Sequence, residues 1–404
     1  MKKKEKQLPV RLAYLVSHPI QYQVPLLQQI SQETALELKV FFRSDYSVKK
    51  HIDPEFGEEI QWDTNLLDGY DHEFLPAIGP KEHISFWRPF NFGLLKKLRV
   101  DKIQVLWVHG YSSLFNIISL VLAKLAGIKI LLRDEATLIS RKRSLINRAV
   151  KRIIYFWLNI FCDGFLAIGT LNQEYYLANG IPKEKIFLMP YAVDNAFFRN
   201  QAKQCDAELL RKKLSLIESR PIILFTGKLL DRKGVFELLQ AFYLTVKKIN
   251  PRPYLVLVGE GKLREKLERE VAKYNLEDDV IFTGFVNQKD LVCYYQLCNL
   301  FVLPSKIEPW GLVVNEVMNL GKAVITSDQV GNSKDLVSFG RNGIVYKSGD
   351  ANGLANAIQE TLSSSSKNEK MGKESLKIIS RWSFKEDLIG LKTALDFVLD
   401  DREE

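Results

Sequence analysis

Cysteine is scarce in this chain of 404 residues. The four that occur are Cys162, Cys205, Cys293 and Cys298. Cys293 and Cys298 have four residues between them, and no further Cys or His stands close by to complete a zinc-type ligand set. Scattered thiols of this kind are typical of proteins in a reducing compartment. We therefore expect four reduced cysteines and a cytoplasmic protein.

Long uncharged hydrophobic runs are also missing. The most apolar segment, 153–169, is interrupted by Asn159 and Asp163, so no bilayer-spanning helix is predicted. The Walker pattern Gly-x4-Gly-Lys-Ser/Thr does not occur. Neither half of the chain repeats itself, which argues against a solenoid.

The composition is that of a globular protein with an excess of positive charge. Hydrophobic residues make up 46% of the chain, and 57 Lys and Arg against 48 Asp and Glu give a net charge of +9. A chain of this length is too long for one ordinary core and suggests two or three domains. The charge favours anionic partners, either nucleotide sugars, phospholipid surfaces or nucleic acid.

Strand-like and helix-like segments alternate along the chain. A buried strand at 11–16 leads through a polar turn into a helix at 24–31 and a second strand at 36–42. A second alternation of the same kind begins at 222–227, after a polar linker at 200–219. This pattern predicts an α/β protein with two doubly wound, Rossmann-like domains and a cleft between them. We assign 1–195 to the first domain, 196–382 to the second and 383–404 to a C-terminal helix.

One stretch, 303–319, combines two carboxylates with a predicted helix start. Pro309 suits the first helical position, and an amphipathic helix follows from Gly311. Glu308 then lies at the helix N-terminus and Glu316 about two turns inside it. The free amides around Gly311 and Leu312 form an anion site. Carboxylates on both sides of bound phosphates suit a ligand with hydroxyls at each end.

The Pro-Ser…Glu-Pro-Trp-Gly…Glu arrangement around Glu308 and Glu316 resembles the signature of retaining glycosyltransferases of family 4. The resemblance extends over essentially the whole chain and is most specific in 226–319. It implies the GT-B fold, with a C-terminal helix that crosses back onto the first domain. It also implies that Glu316 binds the ribose hydroxyls of a nucleotide-diphosphate sugar, and that Glu308 binds the hydroxyls of its sugar.

A basic turn in the second domain supplies further donor-site candidates. Gly227, Lys228 and Lys233 follow a predicted strand, and cations there can hold a diphosphate leaving group. The family usually has Arg at the position of Lys228; Lys keeps the charge and loses bidentate binding. In the same family, backbone groups near Val286 lie against the nucleobase. A solvated basic turn is the alternative interpretation.

Candidates in the first domain stand at strand ends. His109 follows a predicted strand, and its His-Gly-Tyr context resembles the family histidine near the donor sugar. His18, in His-Pro-Ile-Gln-Tyr, is expected on the acceptor side, although the family commonly has a Gly-Gly turn there. The segment 133–135 holds two carboxylates. One of them could accept the proton of the acceptor hydroxyl, but an internal ion pair is the favoured interpretation.

A densely basic segment, 141–158, runs into aromatic residues. A basic helix of this kind suits an anionic membrane surface, which would hold the protein at the cytoplasmic face. A solvated helix with an ordinary core face fits equally well. The two alternatives stay open at this point.

Together these features predict a retaining hexosyltransferase that uses a nucleotide-diphosphate sugar and a glycan or lipid-linked acceptor. We expect this transfer to take part in the synthesis of cell-surface polysaccharide or glycolipid. No Asp-x-Asp metal motif stands at a credible position, so no essential metal or cofactor is expected, and no nucleic-acid partner. The alternatives are a sugar-nucleotide epimerase of the same fold, or a non-catalytic protein that binds nucleotide sugar or anionic lipid.

Overall fold

A computed structural model describes residues 8–48, 51–52, 59–60, 65–79, 84–139 and 144–400. Its elements form two parallel sheets with helices on both faces. The elements up to the end of the first sheet are β1 (Val10–Val16), α1 (Val24–Gln32), β2 (Leu36–Phe42), β3 (His51–Ile52), β4 (Glu59–Ile60), β5 (Asp71–Phe74), β6 (Ala77–Ile78), β7 (Phe90–Asn91), α2 (Leu94–Val100), β8 (Val105–His109), α3 (Leu114–Leu125), β9 (Lys129–Arg133), α4 (Leu145–Phe161), β10 (Gly164–Ala167), α5 (Thr170–Ala178) and β11 (Ile186–Leu188).

The remaining elements build the second sheet and the C-terminal helices. They are α6 (Asn195–Gln204), α7 (Ala207–Lys213), β12 (Ile222–Thr226), α8 (Val235–Val246), β13 (Tyr254–Val258), α9 (Arg264–Lys273), β14 (Val280–Gly284), α10 (Gln288–Leu297), β15 (Leu300–Leu303), α11 (Leu312–Met318), β16 (Ala323–Ser327), α12 (Ser333–Leu336), β17 (Gly343–Tyr346), α13 (Ala351–Leu362), α14 (Ser365–Ile379) and α15 (Phe384–Asp400).

The order in which the strands are added reverses once in each sheet, between β1 and β8 in the first and between β12 and β15 in the second. The first sheet has the order β11-β10-β9-β8-β1-β2-β5 and the second β14-β13-β12-β15-β16-β17. The strands pair in parallel throughout the described part of both sheets. Strands such as Ile222–Thr226 and Tyr254–Val258 are buried over their whole length, because helices cover both faces of a doubly wound sheet. The predicted fold is therefore confirmed.

Two polar stretches are more helical than their composition suggests. The stretch at 200–219 was predicted as a linker, but α6 and α7 occupy most of it and pack against α10. The four serines at 363–366 are typical of a loop, but the side chain of Ser364 caps α14 by accepting a hydrogen bond from the amide of Lys367. In both stretches the apolar residues are too few for a clear helical period.

The cysteine prediction was wrong for one pair. Cys205 follows α6 and Cys293 lies on α10, and the packing of these helices joins the two side chains in a disulfide. Cys162 and Cys298 are buried free thiols. The sequence separation of 88 residues gave no signal for this pairing, because only the packing of α6 on α10 brings the two residues together.

The C-terminal helix α15 lies against the first sheet. Leu391 and Leu395 belong to the core that also contains β1, β2 and α1. A Cβ atom on Gly390 would stand 2.0 Å from the carbonyl oxygen of Leu188, so the helix approaches β11 as closely as a backbone allows. Asp387 on the same helix is buried and lies 3.5 Å from the guanidinium of Arg133. The last helix thus completes the first domain.

Within the part of the chain that the structure describes, no helix is both long and apolar enough to cross a membrane.

Asp387 provides a stability test. Burial raises the pKa of Asp387 to about 7, and the attraction of Arg133 only partly opposes this. Between its unfolded pKa of about 4 and the folded value, the folded protein holds a proton that the unfolded chain has lost. We therefore expect the unfolding free energy to fall as pH rises from about 4 to about 7, relative to Asp387→Asn, by about 1.4 kcal/mol per pH unit. Urea unfolding of both proteins across this range measures it, and parallel profiles would contradict the assignment.

Gly234 provides a second test, because it is the N-cap of α8 and packs against the loop that leads to Glu308. Its φ is +70°, and a Cβ atom there would meet the carbonyl oxygen of Pro304 at 2.0 Å. Gly340 has φ +71° but nothing within 4 Å of the same position. We expect Gly340→Ala to cost about 1–2 kcal/mol of unfolding free energy for the left-handed backbone alone. Gly234→Ala should cost at least about 2 kcal/mol more, because backbone must move. Equal losses in urea unfolding would show that the close approach to Pro304 is unimportant.

Candidate functional site

A cavity of about 290 Å³ lies beyond the carboxyl ends of the strands of the second sheet. Its size suits a small organic ligand, and its place at the strand ends is the usual one in doubly wound domains. Gln21 lines it from the first domain. The other lining residues are Thr226, Gly227, Lys233, Val258, Gly259, Phe285, Val286, Gln288, Leu291, Tyr295, Glu308, Gly311, Leu312, Val313 and Glu316.

Seven of the ten predicted site residues share this cavity: Gly227, Lys233, Val286, Glu308, Gly311, Leu312 and Glu316. They come from three strand-to-helix connections of one sheet, those after β12, β14 and β15. Because parallel strands place all their carboxyl ends at one edge, residues up to 89 positions apart, from 227 to 316, meet there. The sequence motifs therefore converge on one site.

Glu316 projects from α11 and is held by neighbours on α10. The hydroxyl of Tyr295 donates to its Oε2 at 2.6 Å, and Gln288 also bonds to the carboxyl group. Burial raises the pKa of Glu316 above its usual value, and these two hydrogen bonds oppose the rise. A buried carboxylate with fixed orientation is suited to accept hydrogen bonds from ligand hydroxyls.

Glu308 forms an ion pair with Lys233 at the other side of the cavity. Its Oε2 atom accepts a hydrogen bond from the Lys233 ammonium and lies 3.2 Å from the Ser305 hydroxyl. Both charged side chains are largely buried. The amide of Lys306 donates to the Arg232 carbonyl at 2.8 Å, so the basic turn and the Glu308 loop are joined through their backbones as well.

The helix start after Glu308 differs from the prediction. Pro309 does not occupy the first helical position, because α11 begins at Leu312 and Gly311 is its N-cap, with φ +93°. Glu316 is consequently the fifth residue of the helix and lies about one turn inside it, not two. The amides of Leu312 and the next residue belong to the first turn, which has no intrahelical acceptors. The loop 304–311 is longer than the sequence suggested, and this brings Glu308 back toward Lys233.

The glycine turn at Gly227 packs directly against that at Gly259. A Cβ atom on Gly259 would lie 2.1 Å from the carbonyl oxygen of Gly227, and the φ of Gly259 is +132°. The Gly227 amide donates to the Val258 carbonyl at 2.9 Å. With no side chains in the way, the floor of the cavity is backbone. Phe285, next to the predicted Val286, also lines this cavity.

The other three predicted residues lie outside the cavity lining. Lys228 is half-buried in the turn after Gly227. His18 bonds to the neighbouring Ser17 hydroxyl at 2.9 Å and makes an edge contact with Tyr46. His109 ends β8 in the first sheet, where its ring belongs to a separate cluster of polar side chains.

That cluster surrounds His109 at the carboxyl end of the first sheet. Its Nδ1 atom is 3.1 Å from the Tyr14 hydroxyl, and its Nε2 atom is 3.7 Å from Oε1 of Glu135. Burial alone would raise the pKa of Glu135, but bonding and attraction from His109, with smaller effects of Tyr191 and Arg133, hold it below the usual value. Glu135 is therefore an anion that faces His109. An internal ion pair was the interpretation favoured from the sequence for the carboxylates at 133–135.

Sequence reasoning missed the polar residues on α10 and in the turn after β1. Gln288, Leu291 and Tyr295 stand at positions i, i+3 and i+7, so one face of α10 lines the cavity. This periodicity is visible in the sequence but looks like an ordinary core face. Gln21 reaches the same place from the first domain, and its amide donates to Gln288 at 3.0 Å.

Comparison with known proteins gives a family for the second domain. Residues 206–377 match the family described as "Glycosyl transferases group 1". An uncharacterized glycosyltransferase of Methanocaldococcus jannaschii is 24% identical over 288 residues, which are 70% of this chain and 73% of the relative. The capsular polysaccharide biosynthesis glycosyltransferase CapM of Staphylococcus aureus is 23% identical over 333 residues, 80% of this chain and 84% of that protein.

Solved structures agree on the fold. The Anabaena protein HepE, determined in complex with UDP, superposes with a TM-score of 0.72 over 96% of this chain and 99% of its own, at 17% identity. At that identity the likeness concerns the fold alone. The two parallel sheets of this chain, with a cleft between them, form the GT-B architecture. The chain thus has the GT-B fold, and its residues 206–377 are similar to the glycosyl transferases of group 1.

Proposed function

We propose that the protein is a retaining glycosyltransferase that moves a hexose from a nucleotide-diphosphate sugar to a glycan or a lipid-linked acceptor. The observation that carries this proposal is the pairing, in one cavity, of the buried Glu316 with the Glu308–Lys233 ion pair. A relative acting in capsular polysaccharide biosynthesis supports a role in building cell-surface polysaccharide or glycolipid.

The cavity divides into regions that suit the parts of such a donor. Glu316 would accept hydrogen bonds from the ribose hydroxyls, and the backbone near Val286 would lie against the base. Lys233, Lys228 and the amides at Gly311 and Leu312 would hold the diphosphate. Glu308 would then bind the hydroxyls of the sugar next to the β-phosphate. HepE has been determined with UDP and also with UDP-glucose, which supports a nucleotide sugar as the ligand class.

Retention follows from attack on the face from which the diphosphate leaves. The acceptor oxygen forms a bond to the anomeric carbon as the bond to the β-phosphate oxygen breaks. The departing phosphate oxygen takes the acceptor's proton, so no separate base is required. Lys233 stabilises the negative charge that grows on the leaving group. Because the Lys233 ammonium stabilises the leaving group directly, we expect transfer to continue in the presence of a metal chelator.

The first domain would supply the acceptor side of the cleft. His109 would form a hydrogen bond to the donor sugar or to the β-phosphate through its backbone or its side chain, and His18 would line the path of the acceptor. Closure of the two domains would exclude water and align the acceptor hydroxyl. The bond between Gln21 and Gln288 joins the two sides of the cleft in this structure.

A lipid-linked acceptor agrees with the outer face of α4. Ile146, Val150, Ile153, Trp157 and Ile160 follow the spacing of one helical stripe, and all five are exposed, between 48% and 75%. Arg148 and Arg152 are exposed on the same helix. We propose that this stripe, with its flanking cations, rests on an anionic membrane at the cytoplasmic face. Residues 141–143, the start of the predicted basic segment, lie outside the described part of the chain.

The function is tested with a panel of radiolabelled UDP-, GDP- and ADP-sugars. Even without the acceptor, a glycosyltransferase hydrolyses its donor slowly, so we expect release of free sugar from one member of the panel. Glu316→Ala should weaken donor binding by at least about tenfold. Glu308→Gln should lower turnover more than binding, since its contact with the sugar matters as the bond breaks.

Glu265→Ala is the matched control, because this carboxylate is exposed on α9 and far from the cavity lining. A protein that neither binds nor hydrolyses any of the sugars would contradict the proposal. A donor returned as its epimer would point to an epimerase, and binding without chemistry would point to a non-catalytic protein.

The membrane surface is tested by flotation with vesicles of phosphatidylcholine, with and without phosphatidylglycerol. We expect binding only to the anionic vesicles, weakened by salt. Ile153→Ser combined with Trp157→Ser should reduce binding by about tenfold or more, since both lose apolar area from the interface. Leu209→Ser combined with Ile217→Ser is the control, because these two side chains are similarly exposed elsewhere. Equal binding by both double variants would refute α4 as the contact.

A further inference from the structure

We propose that Glu135 and Tyr191 position the imidazole of His109 and connect it to the Glu308 loop through Trp310. This inference rests on the proposed function, because it assigns positioning residues to the same transfer reaction. His109 and Glu135 lie at the carboxyl end of the first sheet, Tyr191 follows its last strand, and Trp310 belongs to the loop after β15 of the second sheet.

The first contact fixes the carboxylate of Glu135. Its Oε1 atom accepts a hydrogen bond from the Tyr191 hydroxyl and lies 3.7 Å from Nε2 of His109. The Glu135 side chain is 37% exposed, whereas that of His109 is 14% exposed, so the pair lies at the surface of the cleft. The carboxylate is thus held by the tyrosine on one side and faces the imidazole on the other.

The second contact fixes the other nitrogen of the imidazole. The Tyr14 hydroxyl donates a hydrogen bond to Oε1 of Gln23, with 2.9 Å between the oxygens. Its oxygen is then the acceptor for Nδ1 of His109, 3.1 Å away. With Nδ1–H directed at Tyr14, the Nε2 atom points toward Glu135. The ring is consequently held from both sides, which is how enzymes fix the orientation of a histidine.

The third contact joins Tyr191 to the donor-binding loop. The Tyr191 ring meets the Trp310 ring edge to face, with 6.2 Å between centroids. Asn315 on α11 donates to the Tyr191 carbonyl at 3.0 Å and accepts from the Trp310 indole at 3.0 Å. Because Trp310 is two residues after Glu308, a change at the donor loop is transmitted to the backbone and the ring of Tyr191.

Tyr191 stands where the chain passes from one domain to the other. It follows β11, the last strand of the first sheet, and precedes α6, which packs on the second domain. The guanidinium of Arg133 lies 4.5 Å from the centre of its ring and holds it from the first domain. Tyr191 therefore lies in one of the two segments that cross between the domains, and a movement of the domains would change its surroundings. In this structure its hydroxyl meets Glu135, which faces the imidazole of His109.

The first experiment measures hydrolysis of the donor that the wild-type protein cleaves in the panel. We expect Tyr191→Phe and Glu135→Gln each to lower kcat about tenfold with little change in KM, because they disturb orientation and not donor binding. Glu135→Asp should recover part of the loss. In a His109→Ala background Glu135→Gln should have no further effect, since the two residues act as one unit.

Tyr155→Phe is the matched control. The Tyr155 hydroxyl donates to Asp134, the neighbour of Glu135, but this bond is buried in the core and does not face His109. We expect Tyr155→Phe to lower stability without a selective loss of kcat. Equal kcat losses in Tyr155→Phe and Tyr191→Phe, or additive effects of Glu135→Gln and His109→Ala, would overturn the inference.

A second measurement needs no activity. The ring nitrogens of the five histidines can be observed by ¹⁵N NMR, and the His109 signals identified by their loss in His109→Gln. We expect these signals to shift in Glu135→Gln and Tyr191→Phe and to stay in place in Tyr155→Phe. Unshifted signals would overturn the positioning role even in an active enzyme. Shifted signals in a protein that cleaves no sugar nucleotide would instead leave the contacts in place and refute the proposed function.

Discussion

The ion pair between Lys233 and Glu308 is the contact on which the candidate site depends. It joins the turn after β12 to the loop after β15, two neighbouring strands, and backbone bonds from Lys306 to Arg232 reinforce it. A largely buried pair of this kind is costly to break, because removal of one partner leaves the other charge unpaired. Binding of a diphosphate would let Lys233 share its charge with the ligand while Glu308 turns to the sugar.

Two layers of support surround this pair. Behind it, the glycines at 227, 234 and 259 let backbone approach backbone, so the cavity floor has no side chains. Beside it, Tyr295 and Gln288 hold Glu316 at the other end. These supports come from the turns after β12 and β13 and from α10, all in the second domain. Gln21 and Tyr191 add contacts from the first domain and from the segment that follows it.

The first domain contributes a different kind of chemistry. Its strand ends bring together Tyr14, His109 and Glu135, and the cation there, Arg133, is buried beside Asp387. We expect such a surface to suit hydroxyl groups, whereas Lys233 in the second domain suits phosphates. Because the two kinds of surface come from different sheets, both domains are needed to line the cleft. The disulfide between α6 and α10 fixes the crossing segment to the second domain.

The sequence by itself determined the doubly wound architecture and most of the donor site. Buried strands have continuous apolar runs, and the functional residues follow them directly at Gly227, Lys233, Glu308 and Glu316, so position along the chain was enough. Only the tertiary structure decided the true start of α11, the disulfide, and the partners of His109, with Tyr191 reaching Glu135 across 56 residues. These contacts join segments far apart in sequence, and no local periodicity records which side chains of two packed elements will face each other.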